Sequence, residues 1–209
     1  MGIILQGILG GFSGKVGPVV GAKWKSIDYM RSYVIPSNPN TAGQQTQRTK
    51  FSVMVALARQ ALSIIIQPFW DMFYTDMSGF NKFISLNIGT LDGSNKLVAG
   101  SIMAKGTLES IPSIVATYAT GTGVVNCVGS GVPTGNGLTT DAVYVVAYDK
   151  VSGDIACEVA GENRSNGDWS LTFTAGLTAT NVIAWVFCQR GTGSELVVSD
   201  SVGDVCAAP

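Results

Sequence analysis

The chain has 209 residues, 46% apolar and only 13% charged, with a net charge of −1 and no histidine. The missing imidazole excludes Ser-His-Asp and Cys-His catalysis, HExxH zinc sites and histidine pH switches. The length allows one large domain or two small ones.

The near-zero total hides an asymmetry. Residues 1–105 hold ten Lys/Arg against four Asp/Glu, a balance of +6; residues 106–209 hold three against ten, a balance of −7. Such a division suits two domains with different partners, head-to-tail contact between copies, or solvated faces that differ by chance.

In chain order, MGIILQGILGGF is apolar but lacks the basic n-region of a signal peptide, and Gln6 stands where myristoylation requires Ser or Thr. GGFSGKV at 10–16 fails as a phosphate loop, with Leu9 in place of the first glycine and Val16 in place of the Ser/Thr; a glycine-rich turn accounts for it. Lys15 to Val34 reads as extended structure, and alternation puts Lys23, Lys25, Ile27, Tyr29, Arg31 and Tyr33 on one face. That basic and aromatic face suits either nucleic acid or an edge defended by charge against pairing.

Pro36 and Pro39 hold an extended entry, and Thr41 with Gln44 makes a capping box. Phe51, Met54, Val55, Ala58, Leu62, Ile65 and Ile66 then form one apolar helical stripe, which Pro68 is expected to end. No apolar run reaches membrane-spanning length, so a soluble chain made in the cytoplasm is expected. Phe69, Trp70, Phe73 and Tyr74 are dense enough to be a packing hub or a face for a neighbouring subunit. Ser78 is placed to cap a second helix to about Asn87, Asp92-Gly93 marks a turn, and Leu97 to Met103 reads as a short strand.

From about Ile111 the texture is that of a β-protein. Strands are expected at 113–119, 124–129, 142–149, 155–160, 169–174, 181–189 and 195–202, with Trp169 and Trp185 as core aromatics. Cys127, Cys157, Cys188 and Cys206 form no CxxC pair. Buried free thiols are the expectation, with a Cys127–Cys188 bridge as the alternative. The fold class is therefore α+β, mostly β. Residues 1–108 form a domain of strands and two helices; residues 109–209 form an immunoglobulin- or fibronectin-type β-sandwich.

Several segments carry a family resemblance. GILGGFSGKVGPVVG at 7–21, KWKSIDYMRS at 23–32, NPNTAGQQTQRTKF at 38–51 and SGFNKF at 78–83 resemble an uncharacterised family of bacteroidete bacteria and their phages. AVYVVAYD at 142–149 looks like that family's fibronectin-like tail. The resemblance covers nearly the whole chain, implies proximity to phage structural genes and brings no catalytic residues. Gly43 departs from the small or helix-favouring residue expected there and weakens the first helical turn.

These readings converge on a structural, self-assembling protein of a phage virion (capsid, decoration or tail-associated), with itself and other structural proteins as partners. Neither enzymatic activity, cofactor nor metal is expected. Carboxylate pairs such as Asp71 with Asp76, or Asp149 with Asp154, sit where turns and helix ends want Asp. The candidate assembly interface is Ile4, Leu5, Ile8, Leu9, Phe12, Phe69, Trp70, Phe73 and Tyr74; the candidate basic surface is Lys23, Lys25 and Arg31. The alternative is a host-cell binding module for a glycan, a surface protein or nucleic acid. It would use loop 129–141 and the basic strand. The expected location is the virion, with the cytoplasm as the alternative.

Overall fold

A computed structural model of the chain describes residues 2–3, 13–35, 37–71, 77–192 and 195–209. It contains two compact units, Met1–Ala42 and Gly43–Pro209. The expected boundary at 108/109 is corrected to 42/43, because the helices before it share a core with the strands after it.

The first unit is an antiparallel sheet in the order β1-β4-β3-β2, formed by β1 (Gly2–Ile3), β2 (Gly14–Val16), β3 (Val19–Trp24) and β4 (Ile27–Ser32). The stretch expected as one extended segment is thus broken by two tight turns. Gly17 (φ +56°) and Lys25 (φ +54°) supply the left-handed residue each two-residue turn requires.

The second unit is built around a central sheet, β8-β7-β10, with β11 and β12 both on the far edge of β10. The ranges are β7 Ala142–Asp149, β8 Ile155–Asn163, β10 Val182–Arg190, β11 Val197–Val198 and β12 Val202–Val205. A second sheet of β5 (Ile114–Ala119), β6 (Val124–Gly129) and β9 (Asp168–Thr172) lies against one face. Val143, Val145 and Ala147 of β7 and Ala184, Val186 and Cys188 of β10 meet Ala116, Tyr118, Val125, Cys127 and Trp169 there.

The opposite face, bearing Val146, Tyr148, Ile183, Trp185 and Phe187, is covered by helices. Burial on both faces is why β7 and β10 read as continuous apolar runs rather than alternating ones. The expected strands from 113 to 190 are present within three residues at each end; the last is split into β11 and β12.

The covering helices are α1 (Ala42–Gln60), α2 (Gln67–Phe69) and α3 (Gly79–Asn87). Ser78 caps α3 by accepting a bond from Asn81 N, as expected. Pro68 does not end the helical run, because it stands in the first turn of α2, where its missing N–H costs nothing. The break comes earlier, in a π-turn at Leu62–Ile66, where Ile66 N donates to Ala61 O at 3.0 Å. The chain bends there by 63°.

The bend turns Phe69 and Trp70 inward, which corrects their assignment to an assembly interface. Phe69 meets Tyr144 and Phe187, each at 4.9 Å between ring centroids, and Trp70 donates from Nε1 to Met103 O at 2.9 Å. They are the packing hub of this core. Ile4, Leu5, Ile8, Leu9, Phe12, Phe73 and Tyr74 lie outside the described residues.

Leu97 to Met103 is not a strand. It is a turn-rich segment tied to α3 by buried Asn87, which accepts from Ile102 N at 2.7 Å and donates back to Ile102 O at 2.9 Å. Among the described residues, no single helix is long and apolar enough to cross a membrane.

Candidate functional site

Among described residues 13–42 only Gly21 is buried, and the next buried residue along the chain is Met54. Apolar side chains are nonetheless abundant there. Val16, Trp24, Ile27, Met30, Tyr33, Val34, Ile35 and Phe51 are all exposed, Trp24 to 64% and Ile35 to 77%. None of these belongs to either hydrophobic core. Among the other described residues exposed large apolar side chains are more thinly spread and fall in small groups, such as Val115 opposite Val128, whereas the stretch 13–35 carries seven of them.

The register sorts this surface by face. Lys15, Val20 and Arg31 align across β2, β3 and β4, and Ala22 pairs with Tyr29 and Trp24 with Ile27 on the same side. Lys15 Nζ sits 3.7 Å from the Tyr33 ring centroid and Lys25 Nζ 5.1 Å from that of Trp24, both cation–π contacts.

The expected basic face is corrected in one respect. Lys23 pairs with Asp28 on the other face, and Lys15 takes its place beside Lys25 and Arg31. A hairpin puts cross-strand partners on one face, so simple alternation carried through the turn assigns the wrong side. On α1 the expected stripe is also split. Met54, Ala58, Ile65 and Ile66 are buried, Val55 and Leu62 are half-buried, and Phe51 faces out with Arg48, Ser52 and Arg59.

The second unit offers two further features. Loop 129–141 is pinned rather than loose. Glu109 accepts bonds from Thr134 N and Oγ1, Gly135 N and Gly137 N at 2.7–3.1 Å. Asp141 takes a two-pronged contact from Arg190 at 2.6 and 2.8 Å. Arg164, fully buried, donates to the carbonyls of Glu109 and Ser110, and Gly137 packs so tightly that a Cβ would lie 2.5 Å from its Nη1.

The bonds from Thr134, then Gly135 and Gly137, hold the Glu109 carboxyl down at about 2, against a usual 4.5. A carboxylate lowered in the folded state stabilises above its ordinary pKa and loses that contribution as pH falls through the folded value. Glu109→Gln should therefore flatten the decline of stability between about pH 4.5 and 2, read from urea midpoints across pH. An unchanged acid limb would show that the loop is held by other contacts.

The other feature is a cleft of about 650 Å³ where the free edges of β8 and β9 come together, lined by Gln60, Asp154, Ile155, Ala156, Phe173 and Thr174. Exposed Asp154, Glu158, Glu162 and Asp168 make these edges acidic. Asp149 is buried and Asp154 exposed. Asp149 closes the turn by accepting from Val151 N and Ser152 N.

A family model described as a family of unknown function, DUF6266, matches residues 11–203. The chain belongs to the DUF6266 family. No curated protein and no solved structure matches it.

In this DUF6266 chain all four cysteines are free thiols, with no Cys127–Cys188 bridge. Burial pushes the Cys157 and Cys206 thiols up to about 12 and Cys188 to about 11, which keeps them protonated and poor nucleophiles at neutral pH. Sequence reasoning missed Glu109, Arg164 and the β8–β9 cleft. Glu109 and Thr134 are 25 residues apart with no local pattern linking them. Arg164–Asn166 is a 3-10 turn with its arginine inside, a burial that its polar neighbours do not announce.

Proposed function

We propose that this chain is a self-assembling structural protein of a phage particle, a capsid, decoration or tail-associated component, working through protein contacts and not through bond chemistry. The observation that carries the reading is the described stretch 13–35 of the first unit, here called the arm. It gathers aromatic and aliphatic side chains, buries almost none of them and adds nothing to either core. An isolated small sheet is marginal in water, and such a surface is stabilised when another copy or another particle protein covers it.

The resemblance of the segments at 38–51 and 78–83 to phage-encoded proteins supports the particle, and with it the virion as location. The second unit reads as a fibronectin-type sandwich. A three-stranded antiparallel sheet of β5, β6 and β9 faces a sheet of β7, β8 and β10, with the short β11 and β12 both on the outer edge of β10, and two such facing antiparallel sheets support that reading. Negative-stain imaging of the concentrated protein should show rings, tubes or fibres. Single particles of one-chain size at every concentration would overturn the reading.

A second reading, host-surface binding, has one observation in its favour. The pinned loop 129–141 displays Val132 and Leu138, which are 70% and 50% exposed, on a backbone held by Glu109 and Asp141.

A further inference from the structure

The arm and the β8–β9 cleft are complementary. Trp24 stands at the tip of the β3–β4 hairpin, 64% exposed, with Lys25 beside it at the turn itself. The cleft has an apolar floor of Ile155, Ala156 and Phe173 and an acidic mouth at Asp154. The charges agree on a larger scale. Residues 1–42 hold four Lys/Arg against one Asp, and residues 43–209 hold nine against thirteen Asp/Glu, balances of +3 and −4. The basic face of the arm carries Lys15, Lys25 and Arg31, and β8 carries Glu158 and Glu162 along its free edge.

We propose that the Trp24–Lys25 hairpin tip of one copy docks in the β8–β9 cleft of a second copy, with Lys25 meeting Asp154. The inference rests on the assembly reading above and names its contact. An aromatic anchor seated in a pocket and ringed by charge pairs is the usual form of an energetically dominant contact. The two surfaces are different patches of the same chain. The contact is therefore heterologous, and repetition gives a ring if the rotation closes and a filament if it does not.

The other tryptophans, Trp70, Trp169 and Trp185, are fully or almost fully buried, so acrylamide quenching of intrinsic fluorescence reports on Trp24. Quenching should fall as protein concentration rises through the association range measured by sedimentation velocity. Trp24→Ala should weaken association about tenfold or more. Lys25→Glu and Asp154→Lys should each do the same alone, and an equimolar mixture of those two should associate again. Since both are exposed charge changes, their folding is checked by the thermal midpoint.

Assembly that leaves Trp24 fully quenchable, or a mixture that stays dissociated, would overturn this contact and leave the assembly reading standing. A chain that never associates would remove both. Protection of Trp24 by a single-stranded oligonucleotide without self-association would assign the hairpin to nucleic acid instead.

Discussion

Trp185→Ala should destabilise the second unit by about 3–5 kcal/mol, a large part of the roughly 5–15 kcal/mol that holds a domain folded. Trp185 lies on the helix-covered face of β10, opposite Gly203 of β12, and donates from Nε1 to Ala99 O at 2.9 Å. Truncation leaves a cavity between sheet and helices, and it strips the half-buried Ala99 carbonyl of its donor. The site has no slack on the other side either. A Cβ at Gly203 would lie 2.2 Å from Trp185 Cδ1 and 2.4 Å from Ala99 O, so the indole lies directly on bare backbone. Gly203→Ala should accordingly destabilise as well, by displacing the same ring. Urea unfolding monitored by circular dichroism reads both. A midpoint for Trp185→Ala within error of the parent would mean that the indole is not a structural centre of this core.

Removing residues 1–41 should have the opposite pattern of effects. Every core residue lies at or beyond Met54, and the compact second unit starts at Gly43. The thermal midpoint of the remainder should therefore stay within a few degrees of the intact chain, whereas association should be lost. Surface segments that make no core contact contribute little to a cooperative transition. Among the described residues the first unit is one small sheet whose side chains join neither hydrophobic core. A remainder that assembles as the parent does would move the interface into the second unit.

Much of the frame was legible because it rests on local rules. The three- and four-residue spacing of α1 from Met54 onward, the Ser78 cap and the apolar runs of β7 and β10 each follow from a few adjacent residues. The exposure of Ile27 and Tyr33 was legible, since alternation already set them on an open face with Lys25 and Arg31; that Trp24 shares this face was not, because alternation carried through the turn set it on the other. The π-turn escaped for a different reason. Its i→i−5 bond leaves no mark on the spacing of Leu62 to Ile66, yet it decides that Phe69 and Trp70 point inward. Nor does sequence announce that Asn87 serves Ile102 as a strand would, or that Glu109 gathers the backbone of a loop more than twenty residues away. Both are polar side chains replacing ladder bonds over long separations, a role periodicity does not encode.

The claim on which the account turns is that stretch 13–35 is open in the single chain and covered in the assembled one. Hydrogen–deuterium exchange on the intact protein, at concentrations below and above its association range, measures this directly. Amides of β2, β3 and β4 should exchange quickly when dilute and slow markedly on assembly, while those of β7 and β10 stay protected throughout. Equal protection of β2 to β4 at both concentrations would contradict the account.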